Sequence, residues 1–194
     1  MSNLDKIKQL RSETGVSLNE CQKAVEEANG DLEKAKEILK KKGQSVAAKK
    51  AGREVGQGMI DSYIHDNSKI GVLLDLRCES DFVARSDDFK QLAREICLQI
   101  AAMGPFFVKK EDVSQENLEK EKSRFLEQAL EEGKNQEVAL KIAEGKANSY
   151  LSENCLMSQP WIKDSSKTIN DLVEEKIAKT GENIQVKRFT RYEL

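Results

Sequence analysis

Apolar residues recur along this chain with two periods, and each change of period marks a new element. Ile70, Val72, Leu74 and Leu76 stand two apart, which gives a strand one buried face. Phe89, Leu92, Ala93, Ile96 and Ile100 then recur at helical spacing on one side. That helix is expected to start at Ser86, with Asp87 and Asp88 in a first turn whose free N–H groups carry positive potential. Between strand and helix lies Arg77-Cys78-Glu79-Ser80-Asp81-Phe82-Val83-Ala84-Arg85, a short corner with one aromatic among charges. A Phe there either fills the core or stands out as a wedge. By residue type alone, core is the ordinary fate of a Phe.

Upstream, the pattern predicts three short helices. Leu4, Ile7 and Leu10 line a first one, stopped by Thr14-Gly15, where Gly suits the left-handed position after a helix. Ser17 caps a second, Glu20 completes a capping-box pattern, and Leu18, Cys21, Ala24, Val25 and Ala28 form its stripe. Asn29-Gly30-Asp31 breaks it. Leu32, Ala35, Ile38 and Leu39 carry a third, fading into Lys40-Lys41-Lys42-Gly43. Residues 1–43 thus read as a minimal bundle, and the Gly-, Ala- and Lys-rich stretch 44–57 as a partly helical linker.

Residues 58–194 read as an α+β core. Met59–His65 and Ile70–Arg77 flank Asp66-Asn67-Ser68 as a β-hairpin. Residues 114–151, rich in Glu, Lys, Ala and Leu and broken at Gly133-Lys134-Asn135, predict a helical hairpin. Its stripe (Leu118, Phe125, Ala129, Leu130; Val138, Ile142, Tyr150, Leu151) is weak, so much of it should face solvent or a partner. A last helix with Ile169, Leu172, Val173 and Ile177 closes at Thr180-Gly181. In the final strand Ile184 and Val186 are in phase while Phe189 is not, predicting a bulge or burial on both faces. The order gives a small sheet covered by helices.

Composition trims the functional classes. The 194 residues carry a formal net charge of -2 with 34% charged residues, which argues against binding driven by phosphate neutralisation, though a local patch is compatible with it. Met1 to Lys8 lacks the apolar core of a targeting signal, and no stretch is long and apolar enough to cross a bilayer; the expected place is the cytoplasm. Cys21, Cys78, Cys97 and Cys155 are widely spaced, and His65 is the lone imidazole, so reduced, half-buried thiols are expected rather than a zinc site or disulfides. No Gly-rich phosphate loop and no converging carboxylates mark a catalytic site, and no metal or cofactor is expected.

The residues resemble a known family. Leu10-Arg11-x-x-Thr14-Gly15, Cys21-x-Lys23-Ala24, Ala28-Asn29-Gly30-Asp31 and Ala47-Ala48-Lys49-Lys50-Ala51-Gly52 look like the N-terminal module of elongation factor Ts proteins. Cys78 to Arg85 resembles that family's T-D-F-V-A signature with Ser80 for Thr. Gln159-Pro160-Trp161-x-Lys163-Asp164-x-Ser166-Lys167-Thr168, Lys179-Thr180-Gly181-Glu182-Asn183-Ile184 and Lys187-Arg188-Phe189 continue the match in order over essentially the whole chain.

The resemblance implies a guanine-nucleotide exchange factor that binds elongation factor Tu, GDP-bound and nucleotide-free, and does no covalent chemistry. It implies a ubiquitin-associated-like N-terminal module that docks through Arg11, Leu18 and Lys23, with Lys50 in the linker. It makes Ser80, Asp81, Phe82 and Val83 a corner that disturbs the partner's Mg²⁺ and phosphate environment. Thr180 and Gly181 stand where the family has an Ile-Gly contact pair. His65, after Ser62-Tyr63-Ile64, matches a family His that reaches another domain of the partner; from the residues alone it is equally an ordinary half-exposed histidine. Longer members carry two copies of the core subdomain and this chain has material for one, which suggests a homodimer; Thr190 offers no Cys to staple it. Two other classes compete. A nucleic-acid or ribosome-binding module would use Lys40–Lys42, Lys49, Lys50 and Arg53, but no aromatic interleaves that run and aromatics are 5% of the chain. A scaffold whose bundle binds partners would leave nucleotide release unchanged.

Overall fold

In the computed structural model, which describes residues 2–194, the first helix, α1 (Asn3–Thr14), opens on a reciprocal cap. Ser2 Oγ accepts the Asp5 N–H at 3.2 Å and the Asp5 carboxylate accepts the Ser2 N–H at 3.1 Å, satisfying donors the helix cannot. It closes on Gly15 at φ 67°, whose N–H donates to Arg11 O at 2.8 Å. At the start of α2 (Leu18–Glu27), Ser17 Oγ accepts the Glu20 N–H, but the second half of the expected capping box is displaced. The Glu20 carboxylate pairs with Lys23 at 3.4 Å and Lys42 at 3.8 Å instead. Asp31 caps α3 (Leu32–Lys50) by accepting the Glu33 and Lys34 N–H groups. Leu10, Cys21, Ala24, Val25, Ala28, Ala35 and Leu39 form the module's core, flanked by Ile7, Val16, Leu32 and Ile38.

The third helix does not fade at Gly43. It continues to Lys50, and the reason is tertiary: a Cβ added at Gly43 would lie 3.5 Å from Ala178, so this glycine sits against another helix rather than ending its own. Ala47, one turn on, is buried. The tertiary contact outweighs the roughly 1 kcal/mol that an interior glycine costs a helix.

Beyond it follow β1 (Gln57–Ile64), β2 (Ile70–Cys78), α4 (Asp81–Arg85), α5 (Asp87–Met103), α6 (Gln115–Glu131), α7 (Gln136–Asn154), β3 (Pro160–Trp161), β4 (Asp164–Thr168), α8 (Ile169–Thr180) and β5 (Ile184–Glu193). The fold is α+β, with a small antiparallel sheet of order β1-β2-β5. Val72, Leu74 and Leu76 are buried as their period requires. A Cβ at Gly58 would fall 2.2 Å from Leu76 O, so only glycine lets β1 approach there. The antiparallel β3–β4 pair was not legible in the sequence: β3 is only two residues long and β4 is polar throughout.

The chain forms two compact units. One gathers the chain up to Asp61 with Leu74–Glu95 and Asp171–Lys187; beyond the three-helix core, its buried residues include Leu74, Leu76, Phe89, Leu92, Val173, Ile177 and Ile184. The other gathers Ser62–Leu73, Ile96–Asn170 and Arg188–Leu194. In it Ile96, Ile100, Leu156 and Ile169 are buried together with two amides, Gln99 and Gln159, that bond at 3.1 Å. Gln99 Oε1 also accepts the Ile162 N–H at 2.9 Å.

One expectation is corrected and another loses one of its two alternatives. The α6–α7 hairpin forms and Ala129 of the expected stripe is buried, but the rest of its seam is Ala139, Ala143 and Ala147, while Leu130 and Val138 are exposed. Small residues four apart let helices approach closely, which a search for large apolar residues overlooks. Phe125 is covered by cations instead, with Arg124 5.1 Å and Lys146 5.8 Å from its ring centre. In β5, Ile184 and Val186 are buried and Phe189 half-buried, with Lys187 and Arg188 both exposed between them. The burial phase slips by one residue there; the strand is not buried on both faces.

Candidate functional site at the Ser80–Val83 corner

Ser80 leaves β2 in extended conformation (φ -123°, ψ 157°) and caps the one-turn helix α4 by accepting the Val83 N–H on its hydroxyl at 3.3 Å. Within α4, Val83 and Ala84 are buried and anchor the turn. Phe82 points the other way and is 82% exposed. Of the two readings open to this residue, core is overturned: five residues give one inner side, and the smaller pair occupies it. Asp81, also exposed, pairs with Arg85 at 3.0 Å one turn on. Ser86 stops the turn, its hydroxyl donating to Val83 O at 2.7 Å and accepting the Phe89 N–H that opens α5.

Beneath the corner, two loops are stitched by crossed carboxylates. Glu182 accepts the Ser80 N–H at 2.9 Å and the Ser80 hydroxyl at 2.6 Å, and Glu79 accepts the Asn183 N–H at 2.6 Å. Each Glu thus receives the residue that follows the other Glu. The Asn183 N–H, with Arg53 at 3.4 Å, holds the Glu79 carboxyl below its ordinary pKa. The Asn183 side chain donates to Arg53 O at 2.8 Å and Ala51 O at 3.4 Å, tying in the end of α3. Cys78 Sγ donates to Ser80 O at 3.1 Å; burial, with the Glu182 charge, pushes its thiol up to about 11.

The other predicted residues distribute as follows. Lys50 donates its ammonium to Gly181 O, so Lys50 and Gly181 meet. Gly181 takes a left-handed φ of 75°. Thr180 Oγ1 donates to Lys176 O at 2.8 Å and accepts the Glu182 N–H at 3.3 Å, so its hydroxyl is spent inside the loop. Arg11 lies exposed on the last turn of α1, Leu18 is exposed at the start of α2, and Lys23 pairs with Glu20. His65 belongs to the second unit. It is exposed at the hairpin end, its N–H donating to Ile70 O at 2.9 Å and its Nδ1 lying 2.9 Å from the Tyr63 hydroxyl. Sequence reasoning assigned no role to Glu79, Glu182 or Asn183. Their one signal was that Glu-Ser and Glu-Asn each flank a corner.

Four of the six cations of the basic run are drawn into internal pairs: Lys40 with Asp171 at 3.0 Å, Lys42 with Glu20 and Glu27, Lys50 with Gly181 O and Arg53 with Glu79, while Lys41 and Lys49 are exposed. Among the described residues, no group of three His, Cys, Asp or Glu side chains is placed to hold a metal ion, and no helix is long and apolar enough to cross a membrane.

The family model described as Elongation factor TS matches residues 5–194. Elongation factor Ts of Coprothermobacter proteolyticus is 54% identical over 188 residues, 97% of this chain and 95% of its own length. That of Thermosipho melanesiensis is 52% identical over 186 residues, 96% and 95% of the two chains. That of Thermoanaerobacter sp. strain X514 is 50% identical over 193 residues, 100% and 95%.

Proposed function

The chain belongs to the elongation factor Ts family, a translation elongation factor family, and from that premise we propose that it binds elongation factor Tu carrying GDP and promotes release of the nucleotide so that GTP can follow. The observation that carries this reading is Phe82, a large aromatic held in water on a capped, anchored turn beside Asp81. An aromatic so placed contributes nothing to its own core and is preorganised to be buried in another protein, without the ordering cost a mobile loop would meet.

The chemistry is conformational. Phe82 enters between helices of the partner's nucleotide-binding domain; Asp81 brings a carboxylate toward the Mg²⁺ and phosphate environment, weakening both. Burying one Phe contributes about 1.5–3 kcal/mol, which by the ~1.4 kcal/mol per decade rule is roughly ten- to hundredfold in nucleotide affinity. The rest of the effect comes from Arg11, Leu18 and Lys23 on the N-terminal module, from Lys50, Thr180 and Gly181 near the corner, and from His65 on a separate contact. Thr180 contributes by shaping the loop, since its hydroxyl is occupied. An exchange factor works only by preferring the nucleotide-free partner, so GDP must weaken its binding by the same factor.

We further propose a second copy of this chain as the cover for one face of the hairpin. The His65–Ile70 bond sets Ile64 opposite Gly71, on the face that also carries Leu73. Ile64 is 63% and Leu73 52% exposed.

The test is the release rate of a fluorescent GDP from purified elongation factor Tu. Acceleration by this protein that Phe82→Ala reduces roughly ten- to hundredfold supports the reading. No acceleration by the folded protein with a competent partner removes it and leaves the scaffold alternative.

A further inference from the structure

A one-turn helix cannot hold its own shape, because too few internal bonds offset the cost of nucleation. The direction of Phe82 is therefore imposed from outside α4, and the contacts beneath it show from where. Val83 and Ala84 supply apolar anchorage, but the polar restraint converges on Ser80. Its N–H and its hydroxyl both donate to Glu182, the same hydroxyl accepts the Val83 N–H, and its carbonyl accepts from Cys78 Sγ and the Ala84 N–H.

The single proton of that hydroxyl decides whether the cap works. With the Ser80 O–H donating to the Glu182 carboxylate, the lone pairs of Oγ are left facing the Val83 N–H, as a cap requires. We propose that Glu182 is the positioning residue of the corner: its two carboxylate oxygens, accepting the Ser80 N–H and hydroxyl, set the rotor of the Ser80 hydroxyl, and through that cap the direction of Phe82. Glu182 is itself set by Thr180, whose hydroxyl donates to Lys176 O and so presents a lone pair to the Glu182 N–H. A relay of oriented hydroxyls thus runs from the end of α8 to the start of α4. Its role in exchange rests on the reading of Phe82 as a wedge; its role in holding the corner does not.

Glu182→Gln keeps shape and removes the property that matters. Glutamine offers one acceptor and one donor where Ser80 presents two donors, so either the Ser80 N–H loses its partner or the hydroxyl proton turns toward Val83.

Two measurements separate the claims. In the free protein, amide hydrogen exchange of Ser80 and Val83 should quicken at least about tenfold in Glu182→Gln, and that of Val83 in Ser80→Ala, with α5 protected as before. Unchanged exchange at both amides overturns the clamp, whatever the protein does to nucleotide release. With elongation factor Tu, Glu182→Gln should lower the saturating GDP-release rate about tenfold and move the half-saturating concentration less than about twofold. On a Phe82→Ala background the same change should cost less than about twofold, because the residue acts through Phe82. An equal loss on both backgrounds overturns the positioning role. A wild-type protein that fails to release GDP instead refutes the exchange reading, and the amide measurement still decides the clamp.

Discussion

Lys179 reaches Asp88 across 2.7 Å while its methylenes run beside Gly15, where an added Cβ would stand 3.3 Å from Lys179 Cε. Asp88 also receives Lys176 at 2.9 Å. One carboxylate thus joins α8 to the first turn of α5, and one lysine packs against the turn that ends α1. The two ammonium groups hold the Asp88 carboxyl below its ordinary pKa, the Lys176 bond contributing most. A depressed carboxyl pKa stabilises the fold above the unfolded value of about 3.9, and that contribution fades as pH falls through the lower folded value. Asp88→Asn should therefore lower stability by about 0.5–1 kcal/mol at pH 7, the range of a half-exposed pair. Urea midpoints of the two proteins should draw together as pH falls below the ordinary carboxylate range.

Phe82→Ala is expected to separate function from folding. Since the side chain is exposed, its loss should leave the thermal midpoint within the scatter of ordinary surface substitutions, about ±0.5 kcal/mol, while nucleotide release slows. A large drop in midpoint would return Phe82 to the core.

The four cysteines are all buried and none is in a disulfide. Burial raises the Cys21 and Cys155 thiols as well as Cys78. At pH 8 a thiol of pKa about 11 is thiolate in only about one molecule per thousand. Ellman's reagent should find almost no fast-reacting thiol in the native protein and the full set after guanidinium is added. A fast phase in the native state would contradict the buried placement.

Leu73→Glu puts a charge on the face proposed to meet a second copy. Light scattering of the parent protein should give twice the 21.8 kDa chain mass at micromolar concentration, and Leu73→Glu should give the single mass with an unchanged circular dichroism spectrum. A single mass for both would remove the homodimer.

Local chemistry was enough for much of this fold. The period-two run Val72, Leu74, Leu76, the helical run from Phe89 to Ile100 and the stop at Gly15 are decided by steric preference and amphipathicity within a few residues. Ordered motifs over the whole chain were enough for the family. Tertiary structure alone decided the rest. Gly43 reads locally as a helix end, yet its helix runs on because Ala178 lies against it. The α6–α7 seam is alanine because helices close together exclude larger residues. Phe82 is core or wedge according to which side of a one-turn helix is covered, and the burial of Val83 and Ala84 settles that only in the folded chain. Glu182 meets Ser80 across 102 residues of chain. A hydrogen bond of that span leaves no mark on the periodicity of either segment, since its direction depends on where two loops are brought together in space.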